Sequence, residues 1–381
     1  MTFDLSLFSS KLKKYREQLK TSLDEVSAKT GISTKTLAAL ERAERRPTGD
    51  EVLILADYYQ CDYQFFISNE KLAPFEQTEM LYRRHGDEFS KEDRWAIQEF
   101  LFLCECEEFL LNLIPRRDYK PFSFVKQGNY FKGHGEKAAA RLREHLGYSS
   151  IQVGSDIYDD FRCLGFHLFR RQLGNSNISG LYIKHPTAGK CILVNYSEDV
   201  YRQRFTAAHE SAHAILDDEE DFIVSFVGDK SNLVEIRANT FASHYLMPPD
   251  CLKNIHDSSN WTTDKAIDLA NRLKVSTEAL AIALRNANLI SPSIETQLKS
   301  VRVPSDRKVD PELPASLSPG SRERREKSLK RGLSSFYVSL CLDAYEQRFI
   351  SAGKLAEMLL VSERELDAMA DLYGRTLKYG N

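Results

Sequence analysis

The chain has 381 residues, of which 42% are apolar and 28% are charged, and its net charge is −3. Its length allows two or three domains with separate cores, and its composition is that of a globular protein. The slightly negative charge argues against a protein that coats nucleic acid non-specifically, although it leaves room for local basic patches.

The cysteines and the apolar residues of the sequence indicate in which cellular compartment the protein is expected. The seven cysteines are scattered and contain no C-x-x-C pair, so we expect reduced thiols. The N-terminus lacks a basic region followed by an apolar run, which is the pattern of a signal peptide. No stretch approaches the roughly 20 apolar residues that span a bilayer. We therefore expect a soluble cytoplasmic protein that has no membrane partner.

Residues 6–68 are predicted to form five short helices. Ser22 and Glu25 have the spacing of a capping box, which opens the second helix. Gly31 suits a left-handed C-cap, and Ser33 suits the N-cap of the third helix. This short turn between two helices is typical of a helix-turn-helix domain.

The same segment resembles the XRE (lambda-repressor-like) helix-turn-helix family in its Gly-Ile-Ser turn at 31–33, in Leu40-Glu41-Arg42 and in Arg46-Pro47. The resemblance implies an all-α DNA-binding domain over residues 1–70, whose second motif helix enters the major groove. It implies contacts to base edges from Ser33, Thr34, Lys35 and Thr36, and contacts to phosphates from Lys29 and Arg42.

Two observations limit the DNA-binding prediction. Leu23 stands where the family often has a DNA-contacting glutamine. Residues 1–47 contain ten Lys/Arg against six Asp/Glu, a net charge of +4, so charge supports DNA binding only locally. The alternative is a helical bundle used for protein contact.

Residues 71–130 are predicted to be a helical connector that leads through a loop at 118–131 into the next domain. Its helical run up to residue 114 is apolar on more than one face, so we expect it to pack against a neighbour.

The sequence from residue 131 to residue 200 predicts two helices, at about 135–147 and 155–163, followed by strands. The strands at 166–169, 181–184 and 191–194 are separated by Gly and Asn and predict a small antiparallel sheet. An extended peptide could pair with an edge of such a sheet. His167 and His185 fall in or near these strands, and we interpret both as structural.

Residues 209–213, His-Glu-Ser-Ala-His, contain the sequence's main chemical signal. On a helix, His209 and His213 lie on one face and can bind one metal ion. Glu210 can then act as general base toward a metal-bound water. The alternative is an amphipathic helix with two partly buried histidines and a surface glutamate.

A second predicted helix supplies a carboxylate. Glu235 and Asn239 are four residues apart, so a ligand and an orienting partner would share one face. Catalytic zinc needs three protein ligands and an open position for water, and His209, His213 and Glu235 complete that number.

These residues resemble the ImmA/IrrE family of metallopeptidases. The likeness extends to residues 178–182 (Ile-Ser-Gly-Leu-Tyr), 192–195 (Ile-Leu-Val-Asn), 204–209 and 235–248. It implies a zincin-like domain over 131–250, with His209, His213 and Glu235 as ligands of zinc, or alternatively manganese, and Glu210 as base. Ser211-Ala212 and His244-Tyr245 depart from the family pattern. His244 and Tyr245 are candidate donors to the oxyanion.

The remaining chain is predicted to be helical apart from one linker. Residues 251–300 form a helical extension, and four prolines within 301–320 indicate an extended linker. Residues 321–381 are predicted to be a helical regulatory or interaction region. The complete chain is thus predicted to be an α+β multidomain protein.

These patterns favour a zinc-dependent, site-specific metalloprotease with a fused DNA-binding domain. The family resemblance implies a helix-turn-helix repressor as substrate, whose cleavage would derepress stress, mobile-element or defence genes. The alternative is an XRE-type transcriptional regulator that uses the peptidase-like domain as a sensor or scaffold. An antitoxin-like repressor is a third hypothesis. A homodimer is the one self-association that we consider for the chain.

Overall fold

The computed structural model divides the chain into two compact units. It describes residues 3–68, 74–114, 118–129, 131–154, 156–228, 232–255 and 260–377. Parts of the predicted connector (71–73, 115–117 and 130) and the last residues of the predicted C-terminal region (378–381) lie outside this description. Unit 1 comprises Met1–Glu105, Leu173–Asn175 and His185–Thr187, and unit 2 comprises the other residues.

Unit 1 begins with five short helices that match the predicted arrangement. They are α1 (Leu5–Gln18), α2 (Leu23–Thr30), α3 (Thr34–Glu41), α4 (Gly49–Tyr59) and α5 (Tyr63–Ile67). Ser22 and Glu25 form the predicted capping box, and Gly31 is the left-handed C-cap of α2 at φ 73°. Ser33 caps α3 by accepting a hydrogen bond from the Thr36 amide. Local caps therefore define where the helices of this domain begin and end.

A single apolar core holds these five helices together. Phe8, Leu40 and Leu55 are completely buried in it. Arg16 on α1 donates to both carboxylate oxygens of Glu41 on α3, at 2.7 and 2.9 Å, in a partly buried bidentate pair. This pair fixes the orientation of α3 against α1.

Two longer helices follow, α6 (Pro74–His85) and α7 (Lys91–Leu113). The first half of α7 belongs to unit 1, where the Trp95 ring packs edge-on against Tyr58 with centroids 5.4 Å apart. Arg94 donates to the Gln18 carbonyl at 2.8 Å. This half of the predicted connector is therefore packed, as its apolar pattern indicates.

Unit 2 contains a mixed sheet that has four strands among the described residues, in the order β1-β3-β2-β4. The strands are β1 (His167–Arg171), β2 (Ile178–His185), β3 (Gly189–Asn195) and β4 (Phe222–Phe226). β1 pairs with β3 in parallel, and β2 pairs with β4 antiparallel. The predicted all-antiparallel sheet is thus wrong in this respect, because β3 lies between β2 and β1. The α+β multidomain class is confirmed.

Helices pack around this sheet and carry the histidine and glutamate motifs. They are α8 (Phe131–His145), α9 (Ile157–Cys163), α10 (Val200–Leu216), α11 (Leu233–Leu246), α12 (Pro249–Lys253), α13 (Thr263–Leu273), α14 (Thr277–Asn286) and α15 (Pro292–Ser300). A Cβ on Gly135 of α8 would collide with the Arg237 backbone of α11. Glycine at this position therefore lets the two helices approach closely.

The C-terminal part of unit 2 packs onto β1. Its helices are α16 (Pro319–Lys330), α17 (Ser335–Glu346), α18 (Ala352–Met358) and α19 (Leu366–Leu372). The Gln172 amide donates to the Lys330 carbonyl at 2.9 Å, and Arg171 forms a β-bridge with Arg331. Within the predicted linker, Asp310 pairs at 2.8 Å with buried Arg170. This segment is therefore anchored and is not a free linker.

Among the described residues, no helix has the length and apolar character that crossing a membrane requires.

Candidate metal centre

Helix α10 brings the histidine motif into the interior of unit 2. Asp199 caps its first turn by accepting a hydrogen bond from the Tyr201 amide. Small residues such as Ala208 and Ala212 are completely buried and allow neighbouring elements to approach. As a result His209, Glu210 and His213 are all buried.

Side-chain nitrogen and oxygen atoms of three residues on α10 and α11 converge on one point. His209 Nε2 lies 3.1 Å from His213 Nε2 and 3.1 Å from Glu235 Oε2. His213 Nε2 lies 3.4 Å from Glu235 Oε1. Among the described residues these three side chains form the group that could hold a metal ion. The predicted ligand set is therefore assembled in space.

The other nitrogen of each imidazole faces a side-chain oxygen. His209 Nδ1 lies 3.1 Å from Asn239 Oδ1, and His213 Nδ1 lies 2.9 Å from Asp217 Oδ2. In a neutral ring the proton then resides on Nδ1, and the Nε2 lone pair points toward the other ligand atoms. Asn239 thus has the contact expected of an orienting partner.

The donor set fits a divalent cation. Two Nε2 lone pairs and a carboxylate that face one another at close range repel unless a proton or a cation lies between them. Tetrahedral zinc with bonds of about 2.0–2.1 Å would separate its ligand atoms by roughly 3.3 Å. The observed separations of 3.1 to 3.4 Å match that spacing.

Electrostatics at these ligands favour binding of a cation. Burial raises the pKa of Glu235, but the hydrogen bonds and charges of His209 and His213 outweigh burial and hold that pKa well below its usual range. Burial lowers the pKa of His213, but hydrogen bonds to Asp217 and Glu235 raise it to about 9. A metal ion at this position would neutralise the Glu235 carboxylate, as the charges of the histidines do, and it would displace the proton that His213 holds below its raised pKa.

Glu210 is a buried carboxylate of this region whose loss of hydration is not offset by hydrogen bonds from the described residues. Its side chain is fully buried, and neither carboxylate oxygen has a hydrogen-bond partner among the described residues. Burial raises its pKa, partly offset by the neighbouring histidines. A buried and unpaired carboxylate is costly and rare outside functional sites. Its position therefore suits a general base whose partner is a water molecule or a substrate.

Asp217 is a supporting residue that the sequence interpretation missed. It caps the end of α10, accepts from His213 Nδ1, and forms a close ion pair with Arg237 of α11. All three side chains are buried. Its position four residues after His213 was the available signal, since such a residue shares that histidine's helix face.

The two candidate oxyanion donors lie in different surroundings. Tyr245 is buried in the core, stacks on Phe241, and donates its hydroxyl to Asp160 at 2.7 Å. This placement argues against Tyr245 as an oxyanion donor. His244 is half-buried, with Nδ1 2.9 Å from the Thr240 carbonyl, and its role stays a prediction.

His167 and His185 each contact a glutamate of α7, as expected for structural histidines. His167 Nδ1 lies 3.1 Å from Glu107 and its Nε2 lies 3.3 Å from Glu108. His185 Nε2 lies 3.3 Å from Glu105. Hydrogen bonds to the two glutamates outweigh burial and raise the pKa of His167 to about 10.

The predicted DNA-contacting residues lie on and beside α3 in unit 1. Lys29, Lys35 and Arg42 are exposed. Arg42 is paired with Glu44 at 2.8 Å, so a phosphate would have to compete with that carboxylate.

The hydroxyl groups at the start of α3 already have partners. The Ser33 hydroxyl lies 2.9 Å from that of Thr36, and the Thr34 hydroxyl donates to Asp24 at 3.1 Å. Contacts from Ser33, Thr34 and Thr36 to base edges therefore stay predictions, as does a contact from the exposed Lys35.

Comparison with known families agrees with this division of the chain. A family model described as helix-turn-helix matches residues 12–66, and one described as an IrrE N-terminal-like domain, of the M78 peptidases, matches residues 161–285. The chain is a fusion of these two domains. No curated protein matches it. The IrrE-like match includes His209, Glu210, His213 and Glu235 and implies a metal cofactor.

Proposed function

We propose that this protein is a zinc-dependent peptidase of the cytoplasm that cuts a helix-turn-helix repressor and binds DNA through its own helix-turn-helix domain. One observation carries the enzymatic part. The ligand atoms of three residues, separated by 3.1 to 3.4 Å, stand beside a buried carboxylate that has no hydrogen-bond partner among the described residues. A scaffold or sensor gains nothing from such a costly group.

The residues of the site divide the chemistry between them. His209, His213 and Glu235 would hold a divalent metal ion, which would supply Lewis acidity toward a peptide carbonyl and a water molecule. Glu210 accepts the proton of the attacking water and then delivers it to the leaving nitrogen. Asn239 and Asp217 keep the two imidazoles in the required tautomer and orientation.

The sheet supports presentation of an extended peptide. β1, at one end of the strand order, is already paired with residues 330–331. β4 is at the other end, and Ser225 on it neighbours Glu210. A substrate that pairs with β4 as an added strand would therefore pass beside the general base.

The substrate class rests on the family resemblance and on the fused domain. A helix-turn-helix domain can deliver the peptidase to a repressor bound at a nearby operator, or can itself be the segment that is cut. Cleavage of the repressor would then derepress stress, mobile-element or defence genes.

The decisive comparison is between the wild type and Glu210→Gln, each loaded with zinc or manganese and incubated with candidate repressors. The wild type should produce discrete fragments by mass spectrometry, and E210Q should produce none while retaining its metal. If neither protein cuts any repressor and both bind one promoter equally well, the regulator hypothesis replaces this proposal.

A further inference from the structure

Two residues of the sheet lie directly against the Glu210 carboxylate. Gly180 on β2 pairs with Ser225 on β4, next to a β-bulge that leaves Ser179 unpaired in the register. Residues directly opposite in an antiparallel pair project to the same face. A Cβ built on Gly180 would lie 2.9 Å from Glu210 Oε1, so this face is the one toward Glu210. The Ser225 side chain therefore projects toward Glu210 as well.

The polar atoms on this face have no other partners. Ser225 is 4% exposed, and its hydroxyl, like both Glu210 oxygens, has no hydrogen-bond partner among the described residues. A buried hydroxyl beside a buried carboxylate can satisfy both groups with a small rotation, because it donates and the carboxylate accepts.

Gly180 provides the space that the carboxylate occupies. Besides Glu210, its added Cβ would lie 2.8 Å from the Leu193 carbonyl oxygen and 2.8 Å from Thr206 Cγ2. The Leu193 oxygen is backbone of the neighbouring strand and cannot move without disturbing β3. Any side chain at position 180 would therefore displace the Glu210 carboxylate.

We propose that Ser225 and Gly180 are positioning residues for the general base. The Ser225 hydroxyl donates a hydrogen bond that orients the Glu210 carboxylate toward the reacting water, and the bare backbone of Gly180 leaves room for that orientation. The β-bulge at Ser179 brings the two positions opposite each other. The expected effect of these residues on kcat rests on the proposed peptidase function. Their expected effect on the binding of a ligand beside Glu210 does not.

The test uses the full-length, metal-loaded protein with Ser225→Ala and Ser225→Thr. S211A is the matched control, because Ser211 is also a buried serine near the site but donates to the Ala207 carbonyl at 2.7 Å. Metal content is measured for each, together with kcat and KM on a cleaved repressor. The dissociation constant of acetohydroxamate, which binds a metal and hydrogen-bonds a neighbouring carboxylate, is measured by calorimetry.

S225A should lower kcat by roughly tenfold, as expected for one lost hydrogen bond to a charged group, with KM and metal content unchanged. Acetohydroxamate affinity should fall by a similar factor. S225T should recover both quantities, and S211A should behave as the wild type.

Gly180→Ala tests the spatial part of the proposal, with Gly320→Ala as control because no atom lies within 4 Å of a Cβ built on Gly320. G180A should retain metal and lose more acetohydroxamate affinity than S225A does. If G180A fails to fold, S225A still decides the role of the hydroxyl.

The outcomes separate this inference from the proposed function. If the wild type cuts nothing while S225A still weakens acetohydroxamate binding, the positioning role stands and the peptidase assignment fails. If S225A binds acetohydroxamate as tightly as the wild type and S211A do, Ser225 does not position Glu210. A folded G180A with wild-type affinity would overturn the role of Gly180.

Discussion

Helices α3 and α10 carry the candidate functional side chains of the two domains and differ in how far they bury them. α3 has eight residues, of which Leu37 and Leu40 are buried, and it presents Lys35 to solvent. α10 buries fourteen of its 17 residues, including His209, Glu210 and His213. Lys35 on α3 is thus exposed in the folded domain, whereas the orientation of the buried groups on α10 depends on what packs against them.

The two helices differ in whether local or tertiary interactions orient their polar side chains. On α3 the polar groups are satisfied locally, by caps such as Ser33 and by neighbours such as Asp24. On α10 the orientation of each histidine depends on a residue from another turn or another helix. Substitutions on α10 and its supports should therefore have larger effects than those on α3.

The largest effect is expected for Glu210→Gln. The amide cannot accept a proton from water, so kcat should fall by about 10²–10⁴, the usual contribution of a general base. Metal content should remain that of the wild type, because the ligand atoms are unchanged. Steady-state kinetics and metal analysis of the same sample check this prediction. Lost activity with retained metal would mean that the general base was removed and that the metal site is intact.

Asp217→Ala should combine a stability effect with a metal effect. It leaves buried Arg237 without its ion partner, which costs about 3–5 kcal/mol of unfolding free energy in comparable cases. It also frees His213, so metal affinity should weaken by about 10–100-fold. Asn239→Ala is the matched control, since it frees His209 without leaving a buried charge. Urea unfolding and metal titration of both variants measure the two effects separately.

His167→Gln probes a buried charge outside the metal centre. The pKa of His167 is raised to about 10 in the folded protein from about 6.5 in the unfolded chain, because hydrogen bonds to Glu107 and Glu108 outweigh burial. Its stabilising contribution is therefore complete below about pH 6.5 and is lost as pH rises through about 10. The unfolding free energy of the wild type should fall across that window, and the decline should be shallower in H167Q. Equal slopes would mean that His167 is neutral when folded.

The smallest effects on stability and activity should come from substitutions on and beside α3. Two of them distinguish a residue that stabilises the helix from a residue that contacts DNA. Ser33→Ala removes an N-cap and should cost about 1 kcal/mol of stability. Lys35→Ala should leave the free energy of unfolding unchanged and weaken DNA binding. If Lys35 contacts a phosphate, the slope of log affinity against log salt concentration should become less steep by about 1. Thermal unfolding and DNA titration at several salt concentrations test both. A destabilised K35A would mean that this lysine has a structural role.

What the sequence could predict follows the same division. The capping box at Ser22, the left-handed Gly31 and the cap at Ser33 are local signals, so the helix-turn-helix was predicted from them. The spacing of His209 and His213, and of Glu235 and Asn239, is likewise a property of single helices.

Features that depend on distant pairing were missed or wrong. β4 is short and is defined by its partner β2, and the parallel pairing of β1 with β3 has no local signature. The ion pair of Asp217 with Arg237, and the placement of Gly180 and Ser225 on the sheet face toward Glu210, arise only when helix and sheet pack together. Side-chain chemistry alone does not indicate these supports.

The central claim is that His209, His213 and Glu235 hold one metal ion. Its most direct test is the metal content of purified full-length protein, measured by inductively coupled plasma mass spectrometry after exhaustive dialysis and reloading with zinc. We predict about one metal ion per chain for the wild type, in keeping with a single three-ligand site, and a large loss for Glu235→Gln. A folded wild type without stoichiometric metal, or an E235Q variant that binds as much metal as the wild type, would contradict the claim.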